Sequence, residues 1–332
     1  MTTTSSGQPA ATALVLLDDV TTTLRDVDLE LLTVARALGD VVAVAFDAPS
    51  AAVAEQLGAY GVARVVELAL DEGADAHLTG VAAHALTHVT DGARVLLARA
   101  TFANKEVLGR LAHLTGAGLI IDAAQVRGGE GAVVGEKRVF AGTWDVVSVA
   151  RTPLVLLTVR PNAVRPEPAA APTSPVAERV VVDPAAASAA AGGVRLVSRT
   201  VHPATSAGPA LAEAARVVAG GRGTGGDFGP VRELADVLGA AVGSTRDCVD
   251  EGWIEHDTQV GQTGVTISPR LYIGAGISGA PHHRGGMQAS EVIVAVNSDP
   301  ECPLFEICDF AVVGDLATVL PQASEALRAR QA

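Results

Sequence analysis

Leu271, Tyr272 and Ile273 run straight into Gly274-Ala275-Gly276-Ile277-Ser278-Gly279. A short apolar strand entering a G-x-G-x-x-G turn limits the fold more sharply than composition can. Such glycines permit a tight turn, and backbone N–H groups at the start of a following helix can then close on a phosphate. Val292 to Val296 reads as a second buried strand ending in Asn297 and Asp299. That end lies roughly 20 residues past the glycines, where a ribose-binding group often sits. The stretch from Gln259 to Asp299 therefore predicts a dinucleotide site, without saying which dinucleotide.

The rest of the chain repeats the same pattern. Ala13–Leu17, Val41–Phe46, Arg64–Leu68 and Arg94–Ala98 are short apolar runs of the kind buried on both faces in parallel sheets. Helical stretches separate them: Val27–Leu38, with Gly39 where a C-cap belongs, Ala51–Tyr60, and Thr101–Leu114. Strands alternating with helices at this pace predict a parallel α/β sheet. The rhythm then breaks. Leu119–Val126, Ala132–Phe140, Asp145–Val149 and Leu154–Val159 read as strands without helices between them, extending or flanking the sheet. Residues 161–175 have the proline-rich composition of an extended loop, with short β-like pieces at Val180–Val182 and Val194–Val197 around an alanine run.

A second domain restarts the alternation. Ala210–Arg216 is expected to be a helix and Val217–Val218 a strand, followed by a glycine-rich turn, the helix Val231–Leu238 and the strand Ala240–Val242. The Leu271 and Val292 strands come next, then Phe310–Val313 and a last helix, Leu316–Arg330. With 332 residues, the length itself suits about two domains. The boundary is placed at residue 200, giving domains 1–200 and 201–332, with 1–12 as a frayed tail.

Composition narrows the function. A net charge of −13 argues against a nucleic-acid surface. No apolar run approaches the ~20 residues of a membrane span. The N-terminus lacks the basic and apolar segments of a signal peptide. Three cysteines without C-x-x-C spacing suggest reduced thiols in a cytoplasm rather than a disulfide framework.

Ligands in open α/β sheets sit outside the carboxyl ends of strands. Here those ends carry Arg222, Thr245-Arg246, Gly274–Gly279, Asn297 and Asp315. Arg222 lies among glycines, where an anion can meet both backbone and guanidinium; the plainer alternative is a flexible turn. Arg246 alone would be an ordinary surface arginine. Asn297 and Asp315 are equally good helix caps, and the cap is compatible with a ligand role. His282 and His283 lack a third residue at ligand spacing, so no metal site is expected. No Walker A, G-x-S-x-G or H-E-x-x-H is present, and no nucleophile–base pair. Arginines, amides, hydroxyls and a histidine without a nucleophile suit a redox cofactor that does the chemistry itself.

These residues carry a family resemblance. GGRG (Gly220–Gly223), LGAAVGSTR (Leu238–Arg246), QVGQTG (Gln259–Gly264), LYIGAGISGA (Leu271–Ala280), VIVAVNSDP (Val292–Pro300) and PLFEICDFAVVGDL (Pro303–Leu316) resemble, in order, the FAD-binding domain of the electron-transfer flavoprotein alpha subunit. ELLTVARALGD (Glu30–Asp40), ATFANKEVLGRLA (Ala100–Ala112) and PLVLLTVRPNAV (Pro153–Val164) extend the likeness, more weakly, through the first half. The resemblance implies two α/β domains, each a mainly parallel sheet flanked by helices, the second a Rossmann-like FAD-binding domain.

It also implies roles for matching positions. Arg222 would meet the FAD diphosphate or its surroundings, with Thr245 and Arg246 close to the isoalloxazine. Gln259, Val260 and Gly261 lead to Gln262 and Thr263, which would line the flavin. Gly276 and Ile277 would bind the cofactor, and Ser278, Gly279 and Ala280 would wrap its ribityl–phosphate portion. His283 would approach the C2 carbonyl, and Asn297 and Asp315 would fix the adenosine half. Arg246 and His283 are the candidates to stabilise negative charge on the flavin. Pro281, His282 and Arg284 depart from the family's common aliphatic residue, glutamine and leucine, which bears on redox potential and partner choice. The resemblance further implies a heterodimer with a smaller beta subunit. It implies electrons taken from flavin dehydrogenases, such as the acyl-CoA dehydrogenases of fatty acid β-oxidation, and passed to a membrane quinone oxidoreductase. The rival reading is an NAD(P)-dependent oxidoreductase or transhydrogenase-like protein using Gly274–Gly279 and Asn297. No phosphate-binding glycine loop follows Asp18 and Asp19, so the first domain is expected to hold no nucleotide.

Overall fold

The computed structural model describes residues 11–71, 74–129, 132–140, 143–200 and 208–331. The chain divides into two compact units, 1–137 with 147–200, and 138–146 with 201–332. The expected boundary stretch, and most of the expected N-terminal tail, lie outside the described residues. Thr12, assigned to that tail, instead opens the first strand.

In the first unit β1 (Thr12–Leu16), β2 (Asp40–Ala45), β3 (Arg64–Ala69) and β4 (Ala93–Arg99) alternate with α1 (Asp26–Arg36), α2 (Ala51–Ala59), α3 (Thr79–Leu86) and α4 (Phe102–Thr115). β5 (Gly118–Ala123) and β6 (Gln125–Gly129) divide what reads as one strand. β7 (Ala132–Val139), β8 (Trp144–Ala150), β9 (Val155–Val159), β10 (Val176–Val181) and α5 (Pro184–Ala190) follow. Seven strands form one sheet in the order β10-β3-β2-β1-β4-β9-β5, each neighbouring pair parallel. β6, β7 and β8 form a separate sheet, with β6 antiparallel to β7.

Alternate residues of β1 enter two different cores. Ala13 and Val15 face one, Leu14 and Leu16 the other, so both faces of the large sheet are covered. Strand order reverses between β1 and β4. There Arg99 pairs with Asp18 and with Asp28 (3.5 Å), and the Asn104 amide donates to Asp18 (3.2 Å). The end of this sheet where α/β proteins often take ligands is thus filled by the chain's own charged side chains.

Two first-unit expectations are corrected. Gly39 does not cap α1, whose C-cap is Ala37. A Cβ at residue 39 would instead collide with the Ala11 carbonyl where β1 and β2 begin. Val194–Val197 forms no strand, while β10 is longer than the expected piece and lies against β3.

The second unit contains β11 (Arg216–Gly220), α6 (Gly229–Leu238), β12 (Ala241–Ser244), α7 (Arg246–Asp250), β13 (Leu271–Ala275), α8 (Pro281–Met287), β14 (Val292–Asn297), β15 (Phe310–Val313) and α9 (Leu316–Gln331). Its sheet runs β12-β11-β13-β14-β15, all parallel. Val217 and Ala219 face one core and Val218 the other. The expected helix at Ala210–Arg216 is absent; residues 211–213 make only a turn before β11.

Candidate functional site

Because every strand of the second sheet is parallel, all five carboxyl ends share one edge. Strand order reverses between β11 and β13, the position where a crevice opens in folds of this kind. The two loops at that point are held together by backbone. Gly221 N–H donates to the Ala275 carbonyl (2.9 Å) and Gly223 N–H to the Gly276 carbonyl (3.0 Å). A Cβ at residue 223 would lie 2.6 Å from the Gly276 Cα. Gly276 itself has a φ of +64°, and Gly279 one of +80°. The glycines that read as phosphate-approach residues are thus required first for loop-on-loop contact.

Beside that contact lies a cavity of about 380 Å³, lined by Arg222, Thr245, Gly276, Ile277, Ser278 and Asn297 among the expected residues. Gly223, Asp247, Cys302 and Pro303 also line it and were not singled out as site residues from the sequence, and so does Asp299, which stands at the strand end read as a ribose-binding position. Gly223 belongs to the loop after β11 and Asp247 to α7, whereas Asp299, Cys302 and Pro303 come from the turn after β14, whose return over the β13 loop has no spacing signature. Asn297 fastens it. Its amide donates to the Ile277 carbonyl and to the Cys302 sulfur, both at 3.2 Å, and its oxygen accepts the Asp299 N–H at 3.1 Å. The Cys302 thiol donates to the same Ile277 carbonyl at 3.3 Å.

Arg222 is exposed, with Asp247 at 3.6 Å, leaving its guanidinium accessible at the cavity. Thr245 is buried and precedes α7; its hydroxyl lies 3.3 Å from the Cys248 sulfur. Burial pushes the Cys248 thiol up, so it is a protonated core residue. Arg246 does not line the cavity. It opens α7 and pairs with Asp250 at 3.2 Å on the surface.

A second group gathers where the chain returns to the end of β12. Val260 N–H donates to the Ser244 carbonyl (2.9 Å), and the Gln259 amide donates to the Thr263 hydroxyl (3.0 Å). This loop lies against α8: Gln262 N–H donates to the His282 carbonyl (3.0 Å), and a Cβ at residue 286 would overlap the Gly261 backbone. The helix N-cap is Ala280.

His283 on α8 is buried, with Nε2 2.7 Å from the Tyr272 hydroxyl. Burial pulls its pKa down to about 4, against a weaker upward pull from the Val260 main chain. The ring is neutral at pH 7, so it can serve only as a neutral donor, while the cationic candidate is Arg246. Asp315 caps α9 by accepting the Ala317 N–H (3.0 Å) and does not line the cavity.

The departures from the family pattern have structural partners. His282 Nδ1 lies 3.1 Å from the Gln262 side-chain oxygen. Arg284 donates to the Gly279 carbonyl and the Pro303 carbonyl, both at 2.6 Å, and to Glu306 at 3.2 Å.

The residues present fit FAD. An accessible guanidinium and a left-handed glycine turn suit a diphosphate. His283 lies outside this cavity, with Nδ1 buried against the Val260 main chain.

Comparison with known proteins gives the same assignment for both halves. The sequence model of the electron transfer flavoprotein domain matches residues 13–187, and that of the electron transfer flavoprotein FAD-binding domain matches residues 210–288. The electron transfer flavoprotein subunit alpha of Mycobacterium leprae (strain TN) is 44% identical over 328 residues, covering 97% of this chain and 99% of that one. The protein of the same description from Mycobacterium tuberculosis (strain ATCC 25618 / H37Rv) is 45% identical over the same shares. That of Paracoccus denitrificans is 36% identical over 316 residues, 93% of this chain and 98% of its own.

Proposed function

The chain belongs to the electron transfer flavoprotein alpha-subunit family, and from that premise we propose that it is the FAD-bearing half of a heterodimeric electron carrier. It pairs with a smaller beta subunit, accepts electrons from flavin dehydrogenases such as acyl-CoA dehydrogenases, and delivers them to a membrane quinone oxidoreductase. It works in the cytoplasm and has no substrate chemistry of its own. Residues 1–200 serve as scaffold and docking domain, residues 201–332 as the FAD-binding domain. Among the described residues no helix is long and apolar enough to cross a membrane.

The observation that carries this reading is the cavity at the reversal of strand order, opening between the Arg222 and Gly276–Ser278 loops. When bound, FAD supplies reversible one-electron chemistry. The chain's residues hold and screen it. Arg222 offers forked donors to the diphosphate, and the backbone of residues 276–280 wraps the adjoining portion. Asn297 acts mainly by shaping the loop, because both its amide and its oxygen already bind within the protein. Asp315 sets the start of α9 at the adenosine side. Gln262, Thr263 and His283 face the isoalloxazine, with Thr245 and Arg246 from the end of β12.

The test is the visible spectrum of the chain co-purified with its beta subunit, followed by reductive titration. Flavin bands that bleach through two one-electron stages support the carrier. A colourless complex that stays colourless with added FAD, yet binds NAD(P)H, overturns it in favour of a dehydrogenase.

A further inference from the structure

Among the described residues that line the cavity at the reversal of strand order, Arg222 is the one cation, set against two carboxylates, Asp247 and Asp299. A cavity read as taking a dianionic diphosphate is thus formally negative before its ligand arrives. Asp299 has one oxygen engaged within its own turn, where Oδ1 accepts the Glu301 N–H at 2.9 Å. Asp247 is the carboxylate beside the arginine, its Oδ2 lying 3.6 Å from Nε.

The backbone on both sides is held, so only the side chains have room to exchange partners. Gly221 and Gly223, which flank the arginine, donate to the Ala275 and Gly276 carbonyls at 2.9 and 3.0 Å and pin its main chain beside the cavity. Asp247 sits on α7, where its carbonyl accepts the Glu251 N–H at 3.0 Å. The paired side chains are 67% and 63% exposed, and an ion pair so open to water opens readily. Its closest approach is through Nε, which leaves the two terminal nitrogens of the guanidinium for another anion.

We propose that Asp247 is a positioning residue: a built-in counter-ion to Arg222 that the cofactor's diphosphate must displace, which thereby sets how loosely the cofactor is held. This rests on the reading above that Arg222 meets the diphosphate. Binding is then an exchange of one anion for another at the same guanidinium. The carboxylate lowers the affinity by the strength of the pair that is given up. The plainer role for Asp247 is that of an acid in the first turn of α7, complementing the helix dipole. That role concerns stability and leaves affinity for an anion alone.

The test measures FAD affinity in the complete complex with the beta subunit, depleted of flavin and titrated with FAD at low and at high salt. Asp247→Asn keeps an oxygen that can accept from Nε and removes the charge. It is expected to tighten binding roughly three- to fivefold at low salt, the scale of an exposed ion pair. At about 1 M salt, where charges are screened beyond ~3 Å, the gain should largely vanish. In an Arg222→Met background the same substitution should change nothing, since no guanidinium remains to compete for. An affinity unmoved or weakened in D247N returns Asp247 to the helix-dipole role and overturns the proposal. A gain of full size in the Arg222→Met background overturns it as well, because the carboxylate would then act on the phosphates directly. Both of these outcomes leave the carrier reading standing, whereas a wild-type complex that takes up no FAD at any concentration overturns that reading and the proposal together.

Discussion

His283 also leaves a mark on stability that does not depend on the cofactor. Burial lowers its pKa from 6.5 to about 4, and its neighbour Tyr272 is buried too, pushed upward and therefore neutral. The folded pKa lies below the unfolded one, so between these values the unfolded chain binds more protons. The stabilising contribution is complete above about pH 6.5 and is lost as pH falls through about 4. At ~1.4 kcal/mol for each pKa unit, the full loss is about 3 kcal/mol. Urea unfolding between pH 7 and 4 should therefore show a steeper acid limb in the wild type than in H283N. Equal slopes would mean that other groups govern the acid limb. The histidine's presence at the site follows from the family resemblance, but its neutrality does not. Neutrality depends on how completely β13, α8 and the 259–265 loop close around the ring, which adjacent letters cannot report.

At the scale of elements, Arg284 joins three pieces that the sequence leaves separate: α8, the turn at Gly279, and the turn at Pro303–Glu306 beside the cavity. Substitution to leucine, the family's common residue here, removes hydrogen bonds to two carbonyls and an ion pair with an exposed carboxylate. Hydrogen bonds from charged groups contribute about 1.5–3 kcal/mol, and the exposed pair contributes little. Arg284→Leu should weaken FAD binding by roughly tenfold, the equivalent of about 1.4 kcal/mol. Flavin fluorescence during titration of the FAD-depleted complex measures this, and unchanged affinity would show that the clamp does not shape the cavity. The strands around this clamp were readable because buried parallel strands are continuous apolar runs, as in Val292–Val296. The helix α8 was not. Its sequence, Pro-His-His-Arg-Gly-Gly-Met, has weak helix formers and two glycines, and forms where its glycines fit against Gly261 and Gln262. Ala210–Arg216 failed the other way: its alanines favour a helix, but Pro209 and the start of β11 at Arg216 leave too little chain to offset nucleation. For the same reason Cys302 and Pro303 were missed at the cavity, since the turn bringing them there is fixed by Asn297 and not by a repeat.

At the scale of the whole molecule, the exposed apolar residues bear on how a beta subunit is held. On β8, Trp144 is 66% exposed, Val147 61% and Val149 54%. Val147 and Val149 share one face of the strand and Trp144 lies on the other; we propose that the exposed Trp144 indole is the part covered in the complex. The rival driver is charge, since a net −13 would draw a basic partner from a distance. The two make opposite predictions. Trp144→Asp removes an aromatic anchor and buries a carboxylate, and truncated anchors of this kind contribute about 2 kcal/mol or more. The variant should therefore bind the beta subunit at least tenfold more weakly. An exposed position should leave the free chain's own stability within about 0.5 kcal/mol. Titration calorimetry at low and high salt separates the cases. If the apolar strand holds the partner, the wild-type affinity changes little with salt and the variant loses it throughout. If charge dominates, the wild-type affinity falls steeply as salt screens it and Trp144→Asp behaves like the wild type. That second outcome would move the interface away from β8.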